Sequence, residues 1–130
     1  MQYLKDNVRN AIMQEALEEF GKKGYNGASV RNIAKNSSTS VGNFYKYFAS
    51  KDDLYEALIR PVYSKLTDYF AELNRVELNE KSDEIFYQLM DKVMELFYDY
   101  SIELSILLNK SEGSIYERCK INFVDMITKI

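Results

Sequence analysis

The chain places a single proline, Pro61, and only five glycines among 130 residues. Tight turns lean on these two residue types, whereas helix interiors exclude them. So sparse a supply of breakers predicts an all-α fold of long helices joined by short connections. The apolar residues repeat accordingly. Val8, Ile12, Ala16 and Phe20 recur at every fourth position, widened by Met13 and Leu17, which predicts a first helix from about Leu4 to Lys23. Lys22, Lys23 and Gly24 supply its basic last turn and glycine stop.

Capping signals divide the remainder. Ser29 is a good N-cap for a short helix with Val30, Ile33 and Ala34 inward, ending in the polar run Asn36-Ser37-Ser38-Thr39. A third helix is expected from Thr39 or Ser40, with Val41, Phe44 and Phe48 facing the core. Ser50-Lys51-Asp52-Asp53 opens a fourth, which is expected to bend at Pro61 and to resume its apolar pattern from Val62 to Leu73. Residues 74–81 read as a connection. Ser82-Asp83-Glu84 is expected to cap a fifth helix with Ile85, Leu89, Val93 and Phe97 inward, broken near Tyr100-Ser101 from a shorter one ending near Asn109. Ser114 and Glu117 read as a capping box for a last helix, still amphipathic at Ile130.

Several classes of chemistry are excluded. Histidine is absent and cysteine occurs once, at Cys119, so the usual zinc sites, His-dependent triads and an intramolecular disulfide all fall away. The carboxylates show no ligand or acid/base spacing. No metal, no cofactor and no enzymatic activity are expected. No apolar run approaches the ~20 residues needed to cross a bilayer. The N-terminal stretch carries Lys5, Asp6 and Arg9 without the apolar segment of a secretory signal, so a cytoplasmic protein without a membrane partner is expected.

Net charge is −3, but it is unevenly spread. Residues 1–51 hold eight Lys/Arg against four Asp/Glu, a balance of +4; residues 52–130 hold nine against sixteen, a balance of −7. A basic head on an acidic body suits a protein whose N-terminal part alone meets phosphate. Within that head, Ser29–Phe48 reads as two short helices joined by a tight polar turn, the pattern of a helix-turn-helix. Its second helix leaves Ser40, Gly42, Asn43 and Lys46 outward, small, amide-bearing or basic groups of the kind a groove-facing helix needs.

The fuller string is specific. Ile12, Ala16, Phe20, Gly24-Tyr25, Ser29-Val30-Arg31-Asn32-Ile33-Ala34, Ser40-Val41-Gly42-Asn43-Phe44-Tyr45-Lys46-Tyr47-Phe48, Lys51 and Leu54 together resemble the TetR family of transcriptional regulators. The turn departs from the family: Ser37-Ser38-Thr39 stands where Ala-Gly-Val is usual, so Ser38 must adopt whatever backbone conformation the glycine holds. The resemblance implies a three-helix helix-turn-helix head in residues 1–49, joined by a long helix to a helical-bundle body in residues 50–130 for ligand binding and dimerisation. That body is shorter than the family's, and is expected to be incomplete.

The resemblance also implies roles. The function is that of a repressor, binding palindromic double-stranded operator DNA as a homodimer and released by a small hydrophobic effector. Tyr45 would reach phosphate through its hydroxyl, with Lys46 and Lys51 as electrostatic partners. Thr39, Ser40 and Asn43 would meet base edges or sugar, and Arg31 a guanine or phosphate. Ser29 is equally well explained as a cap, and Gly42 would let the helix lie close to the groove. In the body, Tyr63, Phe70, Phe86, Phe97 and Tyr100 are the candidate effector-pocket residues, with a plain aromatic core as the alternative. The competing reading of the whole chain is a helical protein-interaction module whose head no longer reads DNA.

Overall fold

A computed structural model describes residues 2–76 and 79–128, and Ile130 lies outside the described residues. Among the described residues every regular element is a helix: α1 (Gln2–Gly27), α2 (Val30–Asn36), α3 (Val41–Tyr47), α4 (Lys51–Asn74), α5 (Ser82–Asp99), α6 (Ser101–Asn109) and α7 (Cys119–Thr128).

The first stripe is buried as its spacing predicts: Ile12, Ala16 and Phe20 are wholly enclosed, with Val8, Met13 and Leu17 partly so. The regular course of α1 stops at Gly24, whose φ of 73° lies in the left-handed region that favours glycine. Residues 25–27 add one further turn. Ser29 and Ser50 cap α2 and α4, accepting from the backbone N–H groups of Asn32 and Asp53 at 3.2 and 3.1 Å. α4 runs unbroken through Pro61. That residue sits on the exposed face, where water can satisfy the carbonyl its missing N–H leaves unpaired.

One apolar core joins head and body. Ile33, Ala34 and Phe44 of the head, Leu54, Tyr55 and Ile59 of α4, and Leu104, Ile106 and Leu107 of α6 belong to a single cluster. At its centre Tyr55 packs edge-on to Phe20, ring centroids 4.8 Å apart, and its hydroxyl shares a buried 2.6 Å hydrogen bond with Ser111.

Four expectations are corrected. Val41 is 38% exposed, because α3 lasts only seven residues and Phe44 fills its single inward position. On α5 the enclosed residues are Leu89 and Leu96, while Ile85 and Phe97 stay 38% and 41% exposed at a rim. Ser82 lies inside α5 rather than capping it; its hydroxyl donates to the carbonyl of Asn79, whose side chain accepts from the N–H of Lys81 at 2.8 Å. The last helix begins at Cys119, not beside Ser114. The Ser114 hydroxyl instead accepts from the N–H of Tyr116, two residues on, at 3.0 Å. That local turn competes with helix and seats the Tyr116 ring between Tyr55 and Tyr63, 6.2 and 4.9 Å away.

Candidate nucleic-acid interface

The helix-turn-helix is held from behind. Glu19 is buried, and its carboxylate accepts from the backbone N–H of Ser29 at 2.9 Å while pairing with Lys23 at 3.4 Å. The α1 frame thus fixes the N-cap of α2. In the turn, Ser37 donates its hydroxyl to the carbonyls of Ile33 and Ala34, and the N–H of Thr39 donates to Ala34 at 2.9 Å. Ser38 has φ of 59°, the left-handed conformation a glycine would take without cost, which strains a serine by about 1 kcal/mol.

α3 starts from that turn. The Ser40 hydroxyl accepts from the N–H of Asn43 at 3.0 Å and caps the helix. The Asn43 amide donates to the Thr39 hydroxyl at 2.7 Å, which orients both side chains before any ligand arrives. Phe44 anchors the inner side, stacked at an angle on Phe48 at 5.9 Å and edge-on to Tyr45 at 5.3 Å. Tyr45 leaves this contact 49% exposed. Arg31, Ser40, Gly42 and Lys46 are exposed too, whereas Ser29, Thr39 and Asn43 are half-buried. A side chain built at Gly42 would meet nothing within 4 Å, so no packing inside the chain requires glycine there.

Lys51 is placed differently. Its ammonium donates to the carbonyls of Tyr25, Asn26 and Ala28 at 2.8, 3.4 and 3.4 Å, and lies 4.5 Å from the centre of the Tyr25 ring. It thereby seals the C-terminal carbonyls of α1, where a cation is favoured. The Tyr25 hydroxyl in turn donates to Asp52. Burial, and then that carboxylate, push the Tyr25 phenol up to about 12.

A half-open cavity of about 540 Å³ lies between α4, α5, α6 and α7, with Phe70, Phe86 and Phe97 in its wall. Tyr63 and Tyr100 stand elsewhere, the first packed on Tyr116 and Phe123, the second beneath the Lys65 ammonium at 5.1 Å. Phe123 and Lys120 of α7 also line the cavity. Sequence reasoning missed these two, and missed Glu19, though Glu19 follows Ala16 by three residues and so falls on the buried stripe. Among the described residues no group of Cys, Asp and Glu side chains could hold a metal ion, and no helix is long and apolar enough to cross a membrane.

A short helix with one buried aromatic anchor and an exposed hydroxyl, amide and basic face, packed behind a capped partner helix, has the form of a helix-turn-helix unit. Residues 12–58 match the family described as bacterial regulatory proteins, tetR family. Residues 12–58 are thus a domain of the tetR family of bacterial regulatory proteins. The chain is 32% identical over 106 residues to an uncharacterised regulator, YuxN of Bacillus subtilis, covering 80% of this chain and 34% of that one. It is 29% identical over 150 residues to the regulator QacR of Staphylococcus aureus, covering 95% and 80%. In three dimensions it resembles NalD, the secondary repressor of the MexAB-OprM multidrug efflux pump in Pseudomonas aeruginosa, with a TM-score of 0.64, 21% identity, and coverage of 96% of this chain and 62% of that one. The chain thus spans about a third of YuxN and under two thirds of NalD.

Proposed function

We propose that this protein is a cytoplasmic, non-enzymatic repressor that binds palindromic operator DNA as a homodimer and is released by a small hydrophobic effector. The observation that carries the reading is the face of α3: Ser40, Gly42, Tyr45 and Lys46 exposed, with Asn43 and Thr39 pre-ordered beside them. Residues 1–49 form the reading head in this proposal. Residues 50–130 bind the effector and pair the heads, which must meet half-sites about 34–36 Å apart. A relative agrees in kind: IcaR of Staphylococcus aureus, 24% identical to this chain over 112 residues, is a negative transcriptional regulator of a biofilm operon.

The test is a fluorescence-anisotropy titration against duplexes from upstream of the protein's own gene. Preference for an inverted repeat over random duplex at moderate salt is the expected result, and equal binding to both overturns it. Tyr45→Phe should weaken all sequences alike, by removing a phosphate contact. Asn43→Ala should instead relax preference at one base position, by about 1–3 kcal/mol if the amide pairs with adenine.

A further inference from the structure

The cavity in the body is almost entirely apolar. Leu66, Phe70, Leu89, Val93 and Phe123 contribute to its wall, and its volume falls in the ~300–1,000 Å³ range of small-molecule sites. One charged side chain stands among the lining residues, and it is a cation, Lys120. Its ammonium donates to the neutral side-chain oxygen of Asn109 at 3.2 Å. No carboxylate lies within 4 Å of it among the described residues, and no Asp or Glu lines the cavity. Lys120 is exposed, and its ammonium keeps hydrogen-bonding capacity beyond the Asn109 contact.

We propose that this cavity takes an anionic amphiphile, an apolar chain ending in a carboxylate, with the carboxylate held by Lys120. The inference rests on the effector-binding reading of residues 50–130 and sharpens it. An apolar wall rewards a hydrocarbon chain in proportion to the area it buries. By itself such a wall would accept a neutral, cationic or anionic amphiphile alike. Lys120 breaks the tie. A lipophilic cation meets a like charge at the rim, and a neutral alcohol leaves the ammonium without a counter-charge. A carboxylate gains a charge-assisted hydrogen bond. The acidic balance of the body opposes an anion at long range, but exposed charges beyond about 8–10 Å are screened at physiological salt, whereas a contact at Lys120 is not.

The probes are decanoate, decanol and decyltrimethylammonium below their aggregation limits, titrated calorimetrically into the whole chain without DNA. Decanoate should bind about tenfold more tightly than decanol, and the quaternary ammonium more weakly than either. Lys120→Met, which keeps the stem and the exposed helical position, should erase the decanoate advantage and leave decanol unchanged; Lys120→Arg should restore it. Circular dichroism confirms that each variant remains helical. Equal binding of all three probes, an advantage that survives Lys120→Met, or no binding by any probe overturns the proposal. Because DNA is absent, failure here leaves the operator reading standing, and failure of operator binding leaves this result standing.

Discussion

The backbone N–H of Tyr25 donates to the carbonyl of Lys110 at 2.9 Å, tying the end of the head's first helix to the loop between α6 and α7. Two glycines make this junction possible. Gly24, with φ of 73°, turns the chain toward Lys110, and Gly113, with φ of 88°, leaves room for the side chain of Asn26. Lys51 and Asp52 grip Tyr25 from the α4 side. The head is thus oriented by contacts from the loop that leads into α7, the helix carrying Lys120 and Phe123 of the cavity.

Alanine at the two glycines should therefore destabilise the fold by different routes. At Gly24 a new Cβ would meet only the Lys110 carbonyl oxygen, at an ordinary 3.6 Å, so the loss is conformational, about 1 kcal/mol. At Gly113 the same loss applies, and the Cβ would also lie 1.9 Å from the Asn26 side-chain oxygen. Urea unfolding should show Gly113→Ala as the more costly change, with Asn26→Gly closing the gap between them. A Gly113→Ala penalty unaffected by Asn26→Gly would mean that the Asn26 contact contributes nothing.

Lys51 should behave as a structural lysine. Lys51→Met removes three donors to the end of α1 and should lower stability by about 1 kcal/mol or slightly more. Log-log salt plots of DNA affinity then discriminate its roles. Loss of a phosphate contact would reduce the slope by about 1, whereas a lysine occupied by carbonyls leaves the slope unchanged. Lys46, exposed on α3, should show the opposite pattern, a shallower slope with little change in unfolding midpoint.

How much of this was legible in the residues depended on the range of the interaction. The α1 stripe, the caps at Ser29 and Ser50, and the break at Tyr100 rest on contacts within a few positions, and local chemistry announces them. The strain at Ser38 was equally readable, because a departure from glycine in a tight turn has only one conformational meaning. Lys51 was not, since its partners at Tyr25, Asn26 and Ala28 are more than twenty positions away. A lysine at a helix start looks the same whether it faces phosphate or the end of another helix. The cavity wall was read in part: aromatic content pointed to Phe70, Phe86 and Phe97, but only the packing of α7 brings in Phe123 and Lys120. The start of α7 was misplaced because Ser114 and Glu117 match a capping box at the correct spacing, yet burial of the Tyr116 ring favours the turn.

Alkaline pH should unfold the protein through groups that burial keeps protonated. Burial raises the Cys119 thiol from 9.0 to about 11, and burial with Asp52 raises Tyr25 from 10.0 to about 12; Tyr55 and Tyr116 are also pushed up, mainly by burial. Each holds its proton to higher pH when folded than when unfolded. The stability they contribute is therefore complete below the unfolded values and lost as pH rises through the folded ones, from about pH 9 to 12. Urea midpoints should be flat near pH 8 and fall across that window. At pH 8 Cys119 should resist iodoacetamide in buffer and react readily in urea, since the raised value leaves about a hundredfold less thiolate. Equal alkylation rates in the two conditions would contradict the burial assigned to it.

Gly42 separates stability from function most sharply. It lies inside α3, where glycine is less favourable than alanine by about 0.5–1 kcal/mol, and nothing within the protein occupies the space a methyl group would fill. Gly42→Ala should therefore raise the unfolding midpoint. If α3 enters a groove with this face toward the bases, the same methyl group intrudes between backbone and DNA, and operator affinity should fall severalfold while the fold is strengthened. A variant that is more stable and binds operator as well as the parent would show that Gly42 does not approach the groove, and would move the reading surface toward Arg31 and the turn. A variant that gains no stability would instead reveal that α3 is not helical at this position in solution.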